Sequence, residues 1–342
     1  MFRRYLNLTL TAVVAMLTTF LLLFLTVAPL SAQDDDDDET VPAADLADPE
    51  GQFIMIDGLE IYYIDQGPTD APAVLLLHGF GGSTFTWRFT APTLLNAGYR
   101  VISYDRPPFG LSAKQSDITL TDAAQAERLA GLMDALDIES AVLVGHSAGG
   151  GVIAQFAAAH PDRVNGLVFA AGAVGGGSEY ADTEATPEAD TDASPLGRLF
   201  ELGAMIDPEN PSTRTLIRRL LTPEQFVSIL TDAYHPDFEV TAEIEAGYAR
   251  VLRVDDWEVG LLSILTQTEA GDPVDLDALS ALDVPVLLIW GEDDTWVPFE
   301  RAGFLRMAFP EAEIITFPDT GHMPMEERPE RFNNALLMFL NE

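Results

Sequence analysis

The sequence predicts a doubly wound α/β fold with a mostly parallel sheet and one helical insertion. Three observations lead there: short apolar runs recur along the chain, helix-compatible stretches alternate with them, and the alternation breaks once, between residues 174 and 273. Apolar runs that are continuous, not alternating, suit strands covered on both faces, and strand-helix-strand order supplies the covering helices. With 342 residues the chain is long enough to bury a large core.

Arg3 and Arg4 precede an uncharged, apolar stretch from Tyr5 to Gln33. It exceeds the ~7–15 residues of a usual signal-peptide core and reaches the ~20 needed to span a bilayer. Ala28-Pro29-Leu30-Ser31-Ala32 nevertheless offers a small-residue cleavage site. Residues 1–32 are therefore expected to form an apolar helix that is either a transmembrane anchor or a cleaved signal peptide. Both readings place the remainder outside the cytoplasm, tethered to the membrane or secreted. Residues 33–50, led by Asp34-Asp35-Asp36-Asp37-Asp38-Glu39, read as an acidic flexible linker.

The core is expected over residues 51–173 and 274–342. Phe53–Ile56 and Glu60–Ile64 flank Asp57-Gly58, a turn dipeptide, and predict a β-hairpin. Buried strands are expected at Val74–Leu77, Val101–Tyr104, Ala141–Val144, Leu167–Ala170, Val286–Trp290 and Ile314–Phe317. Helices are expected at Thr121–Leu136, with Ala124, Leu129, Leu132, Met133 and Leu136 at helical spacing, and at Gly149–Ala159. Residues 174–273 read as a helical lid, because bare loops beyond ~15 residues are uncommon in compact domains. An acidic piece, Gly175–Pro195, leads there into helical patterns at Leu196–Met205, Thr213–Leu221, Pro223–Ala233, Thr241–Leu252 and Val259–Thr266.

Gly145-His146-Ser147-Ala148-Gly149 joins the strand Ala141–Val144 to the following helix, so Ser147 falls on a sharp strand-to-helix turn. Glycines suit such a turn because a side chain there would meet neighbouring backbone. Four further motifs follow strand ends: His78-Gly79-Phe80-Gly81-Gly82-Ser83, Asp105-Arg106-Pro107-Pro108-Phe109-Gly110-Leu111-Ser112, Gly291-Glu292-Asp293-Asp294-Thr295-Trp296-Val297-Pro298, and Gly321-His322-Met323-Pro324-Met325-Glu326. Together they resemble the α/β-hydrolase superfamily, in particular its lid-bearing esterases, meta-cleavage-product hydrolases and epoxide hydrolases, over about residues 51–342. Pro108 stands where the superfamily usually has glycine.

The resemblance implies a serine hydrolase with a Ser-Asp-His triad. A serine hydroxyl needs a base within hydrogen-bond reach and a carboxylate to orient that base. Among the histidines, His78 sits in a tight turn, His146 adjoins the nucleophile and is expected to point elsewhere, His160 ends a helix, and His235 has no partner motif. His322, after the last strand, fits the superfamily's order. The pattern Gly-x-x-Asp-x-x-x-Pro selects Asp294 over Asp293, which reads as a solvated loop residue. The N–H groups of Phe80 and Ala148 are the expected oxyanion donors. Trp87, Trp257 and Trp296 read as core packing.

Composition narrows the partners. With 55 acidic against 18 basic side chains the formal charge is −37, which repels nucleic acid and anionic surfaces. Lys114 is the only lysine; adaptation to high salt and a high-GC genome would each produce that composition. No cysteine is present, which excludes disulfides, thiolate metal sites and a cysteine nucleophile. No cofactor or metal is called for. The expected partner is a small-molecule acyl substrate, most readily a small or medium carboxylic ester. Carbon–carbon bond hydrolysis, perhydrolysis, acyl transfer and peptidase action share the fold, as does non-catalytic ligand binding by a receptor. A serine nucleophile argues against epoxide hydrolysis and dehalogenation, which use an aspartate.

Overall fold

The computed structural model describes residues 40–174, 207–266 and 273–341. β1 (Gly51–Ile56) and β2 (Leu59–Gln66) form the hairpin, closed by Asp57 and Gly58 at φ 51° and 76°, the left-handed pair that a two-residue turn between twisted strands requires. Next come β3 (Ala73–Leu77), α1 (Ala91–Asn96), β4 (Arg100–Tyr104), α2 (Asp122–Ala135), β5 (Ala141–His146), α3 (Ala148–Ala159) and β6 (Val164–Ala170). The insertion contributes α4 (Pro211–Leu220), α5 (Pro223–Thr231), α6 (Ala242–Ala249) and α7 (Trp257–Thr266). The chain then completes α8 (Leu276–Ser280), β7 (Val286–Gly291), α9 (Gly303–Ala308), β8 (Glu313–Phe317), α10 (Pro324–Glu327) and α11 (Pro329–Leu340).

All eight strands form one sheet in the order β1-β2-β4-β3-β5-β6-β7-β8. β1 and β2 are antiparallel to their neighbours, and every pairing from β4 to β8 is parallel. Successive side chains of a strand point to opposite faces, and the core divides accordingly. Leu75, Leu77, Leu143 and Leu288 join Leu129 and Met133 of α2 and Ile153 and Phe156 of α3 on one side. Val74, Leu76, Val144 and Ile289 join Phe332 and Leu336 of α11 on the other, where Phe226, Leu230 and Tyr234 of the insertion also pack.

Local chemistry sets the helix boundaries. Thr121 Oγ1 accepts the Ala124 N–H at 3.2 Å and opens α2. Thr222 and Gln225 form a reciprocal capping box that separates α4 from α5, with Pro223 at the first helical position. The helix expected over Thr241–Leu252 stops at Ala249 and tightens into a 3₁₀ turn, Arg250–Arg253. There the Arg250 guanidinium reaches Asp48 at 3.0 Å and the Leu46 carbonyl. The expected linker over 33–50 is thus fixed in its second half. Val41 N–H donates to Arg253 O at 2.8 Å, Asp255 N–H donates to Val41 O at 2.9 Å, and the Tyr62 hydroxyl donates to Asp48 at 2.9 Å.

The apolar segment 1–32 and the stretches Gly175–Pro195 and Leu196–Met205 lie outside the described residues. Among the described residues no helix is long and apolar enough to cross a membrane. The expected extracytoplasmic localisation, anchored or secreted, and the membrane contact that went with it are withdrawn on that finding, since both rested on segment 1–32 and no described helix supplies a span.

The turn after β4 is wound around Asp105. Its Oδ1 accepts the Thr84 N–H at 2.7 Å and its Oδ2 the Leu111 N–H at 2.6 Å, while burial pushes the carboxyl up to about 6. Pro108 leaves these bonds intact. Buried Lys114 closes the turn by donating to Gly110 O and Ser112 O, both at 2.7 Å. Burial lowers its ammonium from 10.5 to about 8. Between those two values the unfolded chain holds a proton that the folded chain has released, so this group adds stability as pH rises from about 8 to 10.5. The single side-chain amine resonance of protein labelled at lysine should titrate with a midpoint near 8. A midpoint at the ordinary lysine value would show that the amine is solvated.

Candidate active site

Ser147 occupies the turn between β5 and α3 with φ 50° and ψ −123°, a strained conformation costing on the order of 1–3 kcal/mol. Its backbone holds that shape. Ser147 N–H donates to Ala170 O at 3.0 Å, and its carbonyl accepts the Gly150 and Ala173 N–H groups at 2.8 and 2.9 Å. The flanking glycines are sterically required: a Cβ on Gly145 would lie 2.6 Å from Gly149 O, and one on Gly149 would lie 2.6 Å from Leu77 O. The hydroxyl caps no helix N–H, which leaves it available to the pocket.

His322 and Asp294 come from the loops that follow β8 and β7. His322 Nδ1 lies 2.7 Å from Asp294 Oδ2, with both side chains almost fully buried. The other carboxylate oxygen, Oδ1, accepts the Trp296 and Val297 N–H groups at 2.9 and 2.8 Å, which fixes the carboxylate plane. An acid that can only accept places the ring proton on Nδ1 and leaves Nε2 with a lone pair. Nε2 is buried and has no hydrogen-bond partner. It is therefore free to take a proton within the pocket that Ser147 and His322 both line.

That pocket has a volume of about 20 Å³, room for about one water molecule. Core residues Gly79, Phe80 and Thr86 form one side of it, and Leu230, Ala233, Tyr234 and Tyr248 of the insertion form another. Gly79 comes so close that a Cβ there would lie 2.8 Å from Ser147 Cβ, which sets the Phe80 loop directly over the serine. Phe80 N–H makes no hydrogen bond among the described residues, and Ala148 N–H, first in α3, has no carbonyl of its own helix to bond. Beyond Phe80 lies a mainly apolar pocket of about 40 Å³ lined by Phe109, Phe226, Leu252, Trp257 and Leu261, with Lys114 also in its wall. An open cleft of about 550 Å³ around Lys114 and Arg214 shares no residue with the pocket of Ser147.

The remaining histidines each have partners of their own, although His146 Nδ1 is buried without one. His78 Nε2 accepts the Arg106 N–H at 2.9 Å and its Nδ1 donates to Gly79 O at 2.8 Å; burial, then Arg106, holds it well below the ordinary imidazole value, so it is a neutral strut. His146 does not point away: its Nε2 donates to the His322 carbonyl at 3.0 Å, and burial keeps it neutral as well. His160 ends α3 and faces Glu127 at 3.0 Å. His235, Asp293 and Asp319 bring their ligand-type atoms within 4.8 Å of one another at the surface. His235 Nδ1 accepts the Asp237 N–H at 3.1 Å, which leaves the hydrogen on Nε2. That atom faces Asp293 at 3.8 Å as a donor, not as a metal ligand.

The sheet order and the strand-to-helix serine turn are those of one family, and a family model described as alpha/beta hydrolase fold matches residues 72–329. The chain belongs to the α/β-hydrolase family. A 2-hydroxy-6-oxononadienedioate/2-hydroxy-6-oxononatrienedioate hydrolase of Burkholderia vietnamiensis is 30% identical over 295 residues, covering 84% of this chain and 93% of the relative. Two solved structures resemble this α/β hydrolase at 25% identity. A bacterial membrane phospholipase A has a TM-score of 0.66, covering 100% of this chain and 98% of the other. A thermophilic esterase of Thermogutta terrifontis has a TM-score of 0.63, covering 85% and 98%.

Sequence reasoning missed the supports of the His322 loop. Trp296, expected as plain packing, stacks on the His322 ring with centroids 5.6 Å apart. Glu327, buried on α10, accepts the N–H groups of Gly321 at 2.9 Å and Met323 at 3.1 Å, on either side of His322, and that of His235 at 3.0 Å. The only signal was the acidic pair Glu326-Glu327 so soon after the histidine. Replacing Glu327 by Leu would strand those donors, each worth ~1–3 kcal/mol when buried and unpaired. Denaturant unfolding of Glu327→Leu should therefore show a loss of at least ~3 kcal/mol, and unaltered stability would show that these bonds do not hold the loop.

Proposed function

We propose that this α/β hydrolase is a serine hydrolase working through an acyl-enzyme, with Ser147 as nucleophile, His322 as base, Asp294 as its orienting acid, and the Phe80 and Ala148 N–H groups as oxyanion donors. The observation that carries the reading is the 2.7 Å contact of His322 Nδ1 with Asp294, which leaves Nε2 unpartnered in the pocket of Ser147. His322 Nε2 takes the hydroxyl proton as Ser147 Oγ attacks the substrate carbonyl. The oxyanion forms against the Phe80 and Ala148 N–H groups, and the neutral dipoles there stabilise it without reorganising. His322 then gives its proton to the leaving alcohol, and the acyl group stays on Ser147. Water attacks next, losing its proton to the same nitrogen, and the acid departs as Ser147 regains its hydrogen.

A small or medium carboxylic ester is the favoured substrate. Among the described residues no lysine or arginine lines the catalytic pocket: Arg88 is paired with Glu326 at 2.6 Å, Arg106 Nε donates to the His78 carbonyl at 2.9 Å, and Lys114, in the wall of the pocket beyond Phe80, donates to the Gly110 and Ser112 carbonyls. A dioate of the kind named for the Burkholderia relative would bring two carboxylates to a catalytic pocket that has no cation among its described lining residues. The mainly apolar pocket beyond Phe80 offers a hydrocarbon chain a place instead. The insertion acts as a lid, since a pocket of about 20 Å³ admits an ester only when α5 and α6 give way. Carbon–carbon bond hydrolysis is the second reading, favoured by the 30% identity to that relative.

Turnover of p-nitrophenyl esters of graded chain length, measured beside diketone substrates, decides between the two. Ester hydrolysis should dominate. Ser147→Ala should lower it by at least ~10³-fold and Asp294→Asn by ~10⁴-fold, with unchanged circular dichroism. Full activity in folded Ser147→Ala would refute the acyl-enzyme.

A further inference from the structure

Glu326 lies on α10, four residues beyond His322, and takes no part in the chemistry above. Its side chain is fully buried. Three donors converge on it from separate parts of the chain. Arg88, just after the 3₁₀ turn Thr84–Trp87, bonds Oε2 at 2.6 Å. Tyr234, three residues after α5, donates its hydroxyl to Oε2 at 2.8 Å, and Tyr248 of α6 donates to Oε1 at 2.5 Å. Arg88 balances the buried charge, so the carboxylate persists without solvent.

Both tyrosines line the catalytic pocket together with Ser147 and His322. A phenol carries one hydrogen, and here each gives it to Glu326. Burial, with the neighbouring Glu326 charge, drives both phenols above their ordinary value, so the hydrogens stay in place. Neither tyrosine has a hydrogen left for a substrate. The other residues on that wall, Leu230, Ala233 and Met323, present only apolar side chains.

We infer that Glu326 is a positioning residue that determines specificity: by holding the hydroxyls of Tyr234 and Tyr248, it keeps the insertion's wall of the catalytic pocket apolar and selects esters that lay an uncharged hydrocarbon chain against it. The inference rests on the acyl-transfer reading above. Glutamine in place of Glu326 has one oxygen for three donors, and its amide must point a donor of its own at one of them. At least one tyrosine hydroxyl is then released toward the pocket, where an unpaired polar group disfavours a hydrocarbon chain.

The experiment measures labelling of Ser147 in the full chain by an ethyl and an octyl fluorophosphonate, followed by mass spectrometry. The parent should react faster with the octyl probe. Glu326→Gln should lower the octyl-to-ethyl rate ratio roughly tenfold, and adding Tyr234→Phe with Tyr248→Phe should restore it, because the released hydroxyls are then gone. A purely structural role would slow both probes together and leave the ratio unchanged, which overturns the inference. Should Glu326→Gln fail to fold, Tyr234→Phe with Tyr248→Phe in the parent serves instead. It should keep the ratio within roughly twofold, and a larger shift would mean that the hydroxyls contact substrate and overturns the inference. Absence of labelling in the parent would refute the acyl-transfer reading, whereas a labelled parent with an insensitive ratio refutes this inference alone.

Discussion

An imidazole accepts a proton at one nitrogen only when its other nitrogen is committed as a donor, and the buried 2.7 Å contact between His322 Nδ1 and Asp294 imposes that division. Most of the surrounding structure serves to keep the two loops in register. Gly291, at the end of β7, packs so tightly on the His322 loop that a Cβ there would lie 2.0 Å from Gly321 O. The Trp296 and Val297 N–H groups set the carboxylate, and the Trp296 ring covers the imidazole. His146 adds a bond to the His322 carbonyl, so the Ser147 turn is tied to the His322 loop.

The same loop is joined to the insertion. His322 N–H donates to Ala233 O at 2.7 Å, and Glu327 bonds the His235 N–H as well as the N–H groups beside the histidine. With Tyr234 and Tyr248 on Glu326, the insertion is held to α10 along one continuous polar seam in an otherwise apolar contact. The links through Glu326 and those beside His322 are buried, and a buried polar group left without a partner is costly. On the lid reading proposed above, widening the pocket of about 20 Å³ would require the seam to rearrange or the insertion to bend around it.

How much of this was legible depended on whether the determining partner was near in sequence. Strand runs such as Val74–Leu77 and the turn around Ser147 are local patterns, and the structure places them as read, with strand ends shifted by a residue or a few. Asp294 and His322 were reachable because each follows a strand end in a short motif. Glu326 was not, since nothing local separates a carboxylate that meets Arg88, 238 residues away, from one that faces solvent. The same holds for Asp48, whose partner Arg250 lies 202 residues on and turns an expected tether into docked chain. Helix α11 escaped notice although Phe332, Leu336 and Phe339 bury one face of it. His146 was misjudged because adjacency to Ser147 says nothing of side-chain direction.

Charge distribution bears on the substrate. Of the few cations, Arg88, Arg106 and Lys114 are spent on the interior, on Glu326 or on backbone carbonyls, which leaves the −37 of the whole chain weighted toward the surface. Such a field repels approaching anions over roughly a Debye length, ~8 Å at physiological ionic strength. A dianion would meet that barrier outside and no cation among the described residues that line the pocket of Ser147; Lys114, in the wall of the pocket beyond Phe80, is held by two backbone carbonyls. A neutral ester meets neither obstacle. Repulsion at the surface and an apolar wall at the serine are independent filters that act in the same direction, and salt weakens only the first. Any discrimination between neutral and anionic esters that survives at high ionic strength therefore belongs to the pocket.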